Sequence, residues 1–315
     1  MHLSRFSTMP ICARILRDPF LRLVITLPPA DSQLDHPDAV LRALADDYRT
    51  LGADALRKLS GRFALAILDP AQRCAVLAID RIGIELYAVR DFRALLVSQH
   101  VRTRLIVSRH AFDRPLPDVA RTYRALRAAR ADVVKLSFMA DDAWQLSLVR
   151  EFLQLARRDR QHAIATAMGA AGEASRILYK VLGGWATYAA PEQGDPSAPG
   201  QVSARILNTV YHAHERTRRT KVFGLVGNPV GQSKGVYIHN PLYRSAGFNG
   251  VYVRFPVVDT AQFMKKVGPL LSGCSVTIPH KQEMMRYCAS RSPEAASIGV
   301  VNTLVRRRGQ WYGAN

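Results

Sequence analysis

The sequence predicts an α/β protein built mainly from alternating strands and helices. Residues 93–215 contain four short apolar runs that alternate with helices of ten or more residues, a pattern typical of βα units in a parallel sheet. From Lys221 a strand that closes on a Gly-Asn-Pro turn starts a second βα series, which continues to the end. Residues 1–90 differ, since a helix precedes short apolar runs separated by turns, which indicates a small α+β segment with an antiparallel sheet. We therefore divide the chain into residues 1–90, residues 91–215, a charged linker at 216–220, and residues 221–315.

The composition is that of a folded globular protein, with 48% hydrophobic and 22% charged residues in a chain of 315. No apolar run reaches the ~20 residues of a membrane helix and no apolar signal core begins the chain, so we expect no membrane contact and a cytoplasmic location. The four cysteines lie far apart without a CxxC pair, which predicts neither disulfides nor a metal site. The net charge of +19 is spread as arginine over the whole chain without aromatic interleaving, so a solvated basic surface is favoured over specific nucleic-acid binding.

Three motifs follow one another in residues 221–315, namely GQSKG, SGCSVTIPHK and SIGVVNTLV. In order and spacing they resemble the substrate-binding domain of shikimate dehydrogenase. The resemblance implies that Ser233 binds the substrate carboxylate, that Thr277 and Asn302 bind ring hydroxyls, and that Lys281 is the catalytic lysine. Considered alone, Lys281 is more simply a solvated lysine, and the complete VTIPHK motif reverses that preference.

The terminal segment also departs from the family in two places. Gly235 stands where the family often has a second serine, which removes one contact to the carboxylate. The family's next motif, G-x-N-T-D, begins at Gly313 and the sequence ends at Asn315, ahead of the aspartate that partners the lysine. The resemblance implies NADP as the cofactor and no metal, but no GxGxxG fingerprint for a dinucleotide occurs in the chain. We therefore expect the reduction step to be impaired in this chain.

Four further motifs lie in residues 91–215, namely LIVSRHAF, ADVVKLSFMA, MGAAGEASRIL and SAPGQ. They resemble the C-terminal half of type I 3-dehydroquinate dehydratase, which precedes the dehydrogenase in bifunctional enzymes. The resemblance implies that Lys135, at a strand end in an apolar segment, forms a Schiff base and that His110 is the general acid and base. It also implies a set of substrate-binding residues, Arg176, Ser197 and Gln201. Alone, such a histidine is more often a structural hydrogen-bonding residue, and such a lysine a snorkelling edge residue.

The dehydratase resemblance implies a partial (βα) barrel of about four βα units, because the complete barrel has eight. A homodimer would cover the open edges of such a sheet. The run IGIELYAV around Glu85 is compatible either with a further barrel strand or with the pattern of the first segment. The expected ligands are 3-dehydroquinate, 3-dehydroshikimate and shikimate.

Residues 38–89 end in LSGRFALAILDPAQRCAVLAIDRIGIELYAV, which resembles the glutamine-amidotransferase domain of asparagine-synthetase-type proteins. Such enzymes use an N-terminal cysteine as nucleophile. His2 follows Met1 here, so we expect no glutaminase activity. Two alternatives to a shikimate-pathway enzyme stay open: a noncatalytic composite whose basic surface binds acidic partners without specificity, and an amidotransferase-related protein.

Overall fold

A computed structural model describes residues 104–112, 116–190 and 198–315, together with the backbone of five strands that precede them. Four of these strands form one antiparallel sheet in sequence order: β1 (Cys12–Arg17), β2 (Arg22–Leu27), β3 (Ala64–Asp69) and β4 (Cys74–Leu77). The fifth strand is β5 (Arg81–Glu85). The helix predicted from residues 38–59 lies outside the described residues.

A second sheet has the strand order β5–β6–β7–β8. Its strands after β5 are β6 (Arg104–Ala111), β7 (Val133–Met139) and β8 (His162–Met168), and β7 pairs with β8 in parallel over its whole length. The run around Glu85 contributes the strand β5.

Two amphipathic helices connect these strands as the sequence predicts. Helix α1 (Val119–Ala128) begins after Asp118, whose side chain accepts a hydrogen bond from the backbone NH of Arg121 at 2.9 Å. Helix α2 (Leu146–Arg158) buries residues spaced three or four apart, namely Leu146, Val149, Phe152, Leu153 and Ala156. Because these helices fill the two crossovers between β6, β7 and β8, the alternating pattern was sufficient to predict this part of the fold.

The fourth apolar run of the middle segment, residues 184–190, does not form a strand. Its backbone donates one hydrogen bond to the β8 strand, from Trp185 to the carbonyl of Ala163 at 2.8 Å, and Ala190 forms an isolated bridge with Ser203. The expected helix before it is divided into α3 (Glu173–Ile177) and α4 (Tyr179–Leu182), which ends at Gly183 with φ of 93°. The left-handed glycine ends α4, and the run that follows meets β8 at Trp185 without forming a continuous ladder with it.

Residues 216–220, predicted as a linker, pack against the folded chain. Helix α5 (Ala204–Thr209) precedes them, and the buried Arg216 donates from Nε to the carbonyl of Tyr211 at 2.8 Å. The hydroxyl of Thr220 bonds the side chain of Asn249 at 2.7 Å. Residues 108–192 and 198–315 accordingly form one compact unit.

A six-stranded sheet occupies the rest of the chain, in the order β10–β9–β11–β13–β14–β12. Its strands are β9 (Lys221–Gly227), β10 (Gly250–Pro256), β11 (Leu271–Val276), β12 (Cys288–Arg291), β13 (Thr303–Arg307) and β14 (Gln310–Ala314). The helices are α6 (Gly235–Ser245), α7 (Thr260–Lys266) and α8 (Pro293–Ile298). Strands β9, β10 and β11 are parallel, as a βα series requires.

The end of this segment is not a βα unit, so the prediction of a βα series to the end of the chain is wrong there. Strands β13 and β14 form an antiparallel hairpin across Arg308 and Gly309, whose φ angles are 49° and 83°. Positive φ at both turn residues matches the twist of a two-residue hairpin. Among the described residues, no helix is long and apolar enough to cross a membrane.

Candidate active sites

Lys135 lies inside β7, as the third of its seven residues, and not at the strand end that the sequence analysis expected. The apolar run continues for four residues beyond it and stays paired with β8, which moves the strand end to Met139. Alternation places Lys135 on the same face as Ser137, whose hydroxyl lies 2.8 Å from that of Thr166 on β8. Lys135 is half-buried, and its Nζ lies 4.2 Å from the ring centroid of Tyr188. This face of β7 and β8 therefore carries their polar groups, and the opposite face of these two strands is apolar.

His110 lies on the strand next to β7, near the C-terminal end of β6. It is half-buried, and its ring stacks on that of Phe112 with the centroids 5.8 Å apart. A pocket of about 130 Å³ opens directly beyond it, lined at the ends of β6 and β7 by residues that include Ala111, Phe112, Phe138 and Met139. The histidine thus stands at the edge of a small apolar pocket and one strand away from the lysine.

Arg176 is almost fully buried, with 2% of its surface exposed. Its Nη1 donates to the carbonyl of Ala167 at 2.8 Å, and its Nη2 donates to the carbonyl of Pro199 at 3.2 Å. Its Nε has no protein partner within the described part of the chain. Burial lowers the pKa of Arg176 to about 10, and the nearby Glu173 opposes that shift, so the guanidinium stays charged near neutral pH. A buried cation with an unpaired donor is suited to an anionic ligand.

The loop that contains Gln201 is held against the end of β8 by a close backbone approach. The NH of Gly169 donates to the carbonyl of Pro199 at 3.1 Å, and Gly200 has φ of 72°. A Cβ on Gly200 would lie 2.2 Å from the carbonyl oxygen of Gly169, so only glycine fits there. Gln201 follows directly and is half-buried. Ser197 lies outside the described residues.

Thr277, Lys281 and Asn302 meet at one edge of the six-stranded sheet, where β9 and β11 end. The NH of Thr277 donates to the carbonyl of Val226 at 2.9 Å, and the carbonyl of Asn302 accepts from the NH of Val276 at 2.7 Å. The carbonyl of Lys281 accepts from the NH of Val301 at 3.0 Å. These backbone bonds fix three loops side by side and leave the three side chains half-buried, so the structure brings these predicted residues together.

Ser233 lies in the loop between β9 and α6, close to the same edge. Its hydroxyl accepts from the NH of Gly235 at 3.3 Å, and its carbonyl accepts from the guanidinium of Arg254. A Cβ on Gly235 would lie 3.5 Å from the Ser233 hydroxyl and 3.3 Å from the ring of Tyr252. The space that a second serine would occupy is therefore bordered by a tyrosine ring.

Sequence reasoning missed the charged residue that holds the Ser233 loop. Arg254 lies in GVYVRFP, a strand whose other residues are buried except for the final proline. An isolated charged residue in such a strand indicates a specific ion pair or hydrogen bond, because a charge is buried only where it has partners. Asn240 was missed as well: it is fully buried on α6 and bonds both backbone groups of Tyr252, at 2.8 and 2.9 Å.

Two family models match the chain. Residues 59–218 match the Type I 3-dehydroquinase family, and residues 225–304 match the shikimate dehydrogenase substrate binding domain. The chain therefore belongs to the type I 3-dehydroquinase family. The second match gives it the domain order of the bifunctional 3-dehydroquinate dehydratase/shikimate dehydrogenases.

Two relatives agree with this assignment, and one solved structure is reported beside them. The chain is 31% identical over 245 residues to the chloroplastic bifunctional 3-dehydroquinate dehydratase/shikimate dehydrogenase of Arabidopsis thaliana, an alignment that covers 76% of this chain and 40% of the plant protein. It is 42% identical over 101 residues to the shikimate dehydrogenase (NADP(+)) of Caldanaerobacter subterraneus subsp. tengcongensis, over 30% of this chain and 35% of the relative. The structure of dehydroquinate dehydratase and shikimate dehydrogenase from S. pombe AroM is 26% identical with a TM-score of 0.35, over 75% of this chain and 46% of that chain. The chain thus spans less than half the length of these relatives.

The amidotransferase resemblance of residues 38–89 gains no support from these matches. The dehydratase match begins at residue 59 and so includes residues 59–89 of that stretch. It also includes β5, which belongs to the same sheet as β7. Among the described residues, no group of three or more His, Cys, Asp or Glu side chains could hold a metal ion.

Proposed function

We propose that this chain acts in the shikimate pathway, with a dehydratase site for 3-dehydroquinate and a second site that binds 3-dehydroshikimate and shikimate. The observation that carries the proposal is the buried Arg176, a charged donor with an unpaired Nε on helix α3, within the residues that match the dehydratase family. A buried charge of this kind is costly unless an anion completes its partners. The carboxylate of 3-dehydroquinate is such an anion.

The dehydration uses Lys135 as nucleophile. Its amine adds to the ketone of the substrate, and loss of water gives an iminium whose positive charge acidifies the neighbouring C–H bond. His110 accepts that proton and returns a proton to the leaving hydroxyl, which departs as water. Hydrolysis of the iminium then frees the product and the lysine. Arg176 holds the carboxylate, while Ser197 and Gln201 close over the substrate.

The second site recognises a ring acid by short polar side chains. Ser233 binds the carboxylate, Thr277 and Asn302 bind ring hydroxyls, and Lys281 donates or accepts the proton at the reacting oxygen. The family's reduction uses NADP, whose reduced form would supply the hydride when bound. The proposal for residues 225–304 concerns the binding of the ring acid and the proton transfer at Lys281.

Borohydride trapping tests the dehydratase site directly. Incubation with 3-dehydroquinate and sodium borohydride should add one reduced ligand to the protein mass, and Lys135→Ala should abolish the adduct. The matched control is Lys281→Ala, which removes a half-buried lysine from the other site and should leave the adduct in place. A folded wild-type protein that gives no adduct, or an adduct that survives Lys135→Ala, would overturn the proposal.

A further inference from the structure

Residues 59–218, which match the dehydratase family, are called the dehydratase segment. An ion pair joins this segment to the loop that carries Ser233. The carboxylate of Glu173, on α3, lies 3.6 Å from Nη1 of Arg254 on β10. The same guanidinium donates from Nε and Nη2 to the carbonyl of Ser233, at 3.2 and 2.9 Å. The two sites of the proposed function are therefore connected through three residues.

Every nitrogen of the Arg254 guanidinium has a protein partner in this arrangement. Two nitrogens bond one carbonyl and the third faces Glu173, so the group is oriented toward the backbone of the loop. The ring of Tyr237, 5.9 Å from Cζ, flanks the guanidinium. The planar fork of an arginine can satisfy these partners together, which a lysine ammonium on its flexible stem cannot do with the same geometry.

Glu173 is itself held on the dehydratase side. Its carboxylate accepts from the hydroxyl of Tyr211 at 3.4 Å, and it lies within one turn of Arg176 on the same helix. The side chains of Glu173 and Arg254 are 24% and 14% exposed, so water weakens their attraction less than at the surface. The pair is thus fixed at both ends, by the dehydratase helix and by the Ser233 loop.

We propose that Glu173 and Arg254 are positioning residues for the carboxylate-binding site at Ser233, so that the dehydratase segment sets the geometry of the neighbouring shikimate site. This inference rests on the proposed function, because it takes Ser233 as the residue that binds the ligand carboxylate. Arg254 fixes the Ser233 carbonyl, and Glu173 orients Arg254. Neither residue needs to touch the ligand.

Calorimetric titration with shikimate and with methyl shikimate, which lacks the carboxylate charge, tests the inference on the whole chain. Glu173→Gln and Arg254→Lys should each weaken shikimate binding by about fivefold or more, the loss expected for a misplaced hydrogen bond to a charged ligand. Their affinity for the methyl ester should stay near that of the wild type. The control is Glu215→Gln, which removes an exposed partner of Arg244 and should change neither affinity.

The possible results separate the inference from the proposed function. A wild-type chain that binds no shikimate overturns the proposed function and the inference with it. Wild-type binding with unchanged affinity in both variants overturns the inference alone. Equal losses for shikimate and its methyl ester also overturn it, because they indicate a structural effect on the whole domain and not on the carboxylate site.

Discussion

The two sites are built in different ways. In the dehydratase segment the residue proposed to bind the substrate carboxylate is itself structural: Arg176 is buried and bonds two backbone carbonyls, one of them in the loop before Gln201. In the dehydrogenase segment, backbone hydrogen bonds and the guanidinium of Arg254 fix the loops, and the side chains proposed to bind the ligand, those of Ser233, Thr277 and Lys281, remain half-buried. The difference teaches that function and stability should be inseparable at the first site and separable at the second.

The largest expected effect is a loss of stability on substitution of Arg176, which tests the contrast between the two sites. Arg176→Ala leaves the carbonyls of Ala167 and Pro199 without these donors and opens a cavity, so it should lower the free energy of unfolding by about 3 kcal/mol. Borohydride trapping with 3-dehydroquinate should fail as well. Urea denaturation measures the loss, with Lys281→Ala as the control expected to stay within about 0.5 kcal/mol. A stable Arg176→Ala protein would refute the structural role assigned to this arginine.

A smaller effect should follow from crowding the loop before Gln201. Gly200→Ala places a Cβ against the carbonyl of Gly169 and strains a backbone with φ of 72°, so we expect a loss of about 2 kcal/mol. Gly183 is the matched control, because its φ of 93° is equally unfavourable for alanine but its Cβ would meet no atom within 4 Å. Gly183→Ala should therefore cost only about 1 kcal/mol.

If chemical denaturation gives equal losses of unfolding free energy for Gly200→Ala and Gly183→Ala, backbone strain explains the whole loss in both variants. The close approach of Gly200 to Gly169 would then not hold the loop.

At the dehydrogenase site a substitution should affect binding without affecting the fold. Thr277→Val removes a half-buried hydroxyl and keeps the side-chain shape, while the backbone bond of Thr277 to Val226 stays. Shikimate affinity should fall by about fivefold, the value of one hydrogen bond to a ligand, and the unfolding free energy should change by less than about 0.5 kcal/mol. Calorimetry and urea denaturation on the same samples check both values. A large loss of stability would contradict the contrast between the two sites.

Sequence patterns were sufficient for the parts of the fold that repeat. Strands β7 and β8 and helix α2 were predicted because strong apolar periodicity runs through each of them. Residues 184–190 were misassigned as a strand because an apolar composition does not show that a partner edge is within reach. The β13–β14 hairpin was missed since its turn, Arg308–Gly309, lacks the usual Asn-Gly or Asp-Gly signal.

The candidate site residues were predicted from motifs, and their roles remain predictions. Motifs are local, so they selected Ser233 and Thr277 but could not show what holds the loops on which these residues lie. The pair of Glu173 and Arg254 joins two segments that are distant in sequence, and only the folded chain brings them together. The signal available beforehand was one arginine in an otherwise apolar strand.

The smallest expected effect is on the pH dependence of stability and concerns the pair of Glu173 and Arg254. Removal of the charge of Glu173 should stabilise the protein at neutral pH. Burial raises the pKa of Glu173 above its ordinary value, against the attraction of Arg254, the hydrogen bond from Tyr211 and the charge of Arg176. A carboxylate with a raised pKa contributes stability that is present below its unfolded pKa and is lost as the pH rises through its folded pKa. Glu173→Gln, which cannot ionise, should therefore match the wild type near pH 4 and become slightly more stable than the wild type by pH 7.

Thermal unfolding of both proteins across this pH range measures the difference, and Glu215→Gln serves as the control at an exposed site. A variant that is more stable at pH 7 and yet binds shikimate more weakly would show that the ion pair supports the geometry of the site at a cost in stability, because the cost of burying two charges can exceed their attraction. A variant that is less stable than the wild type at pH 7 would mean that the attraction to Arg254 exceeds the cost of burial. The pair would then be an ordinary stabilising contact between the two segments.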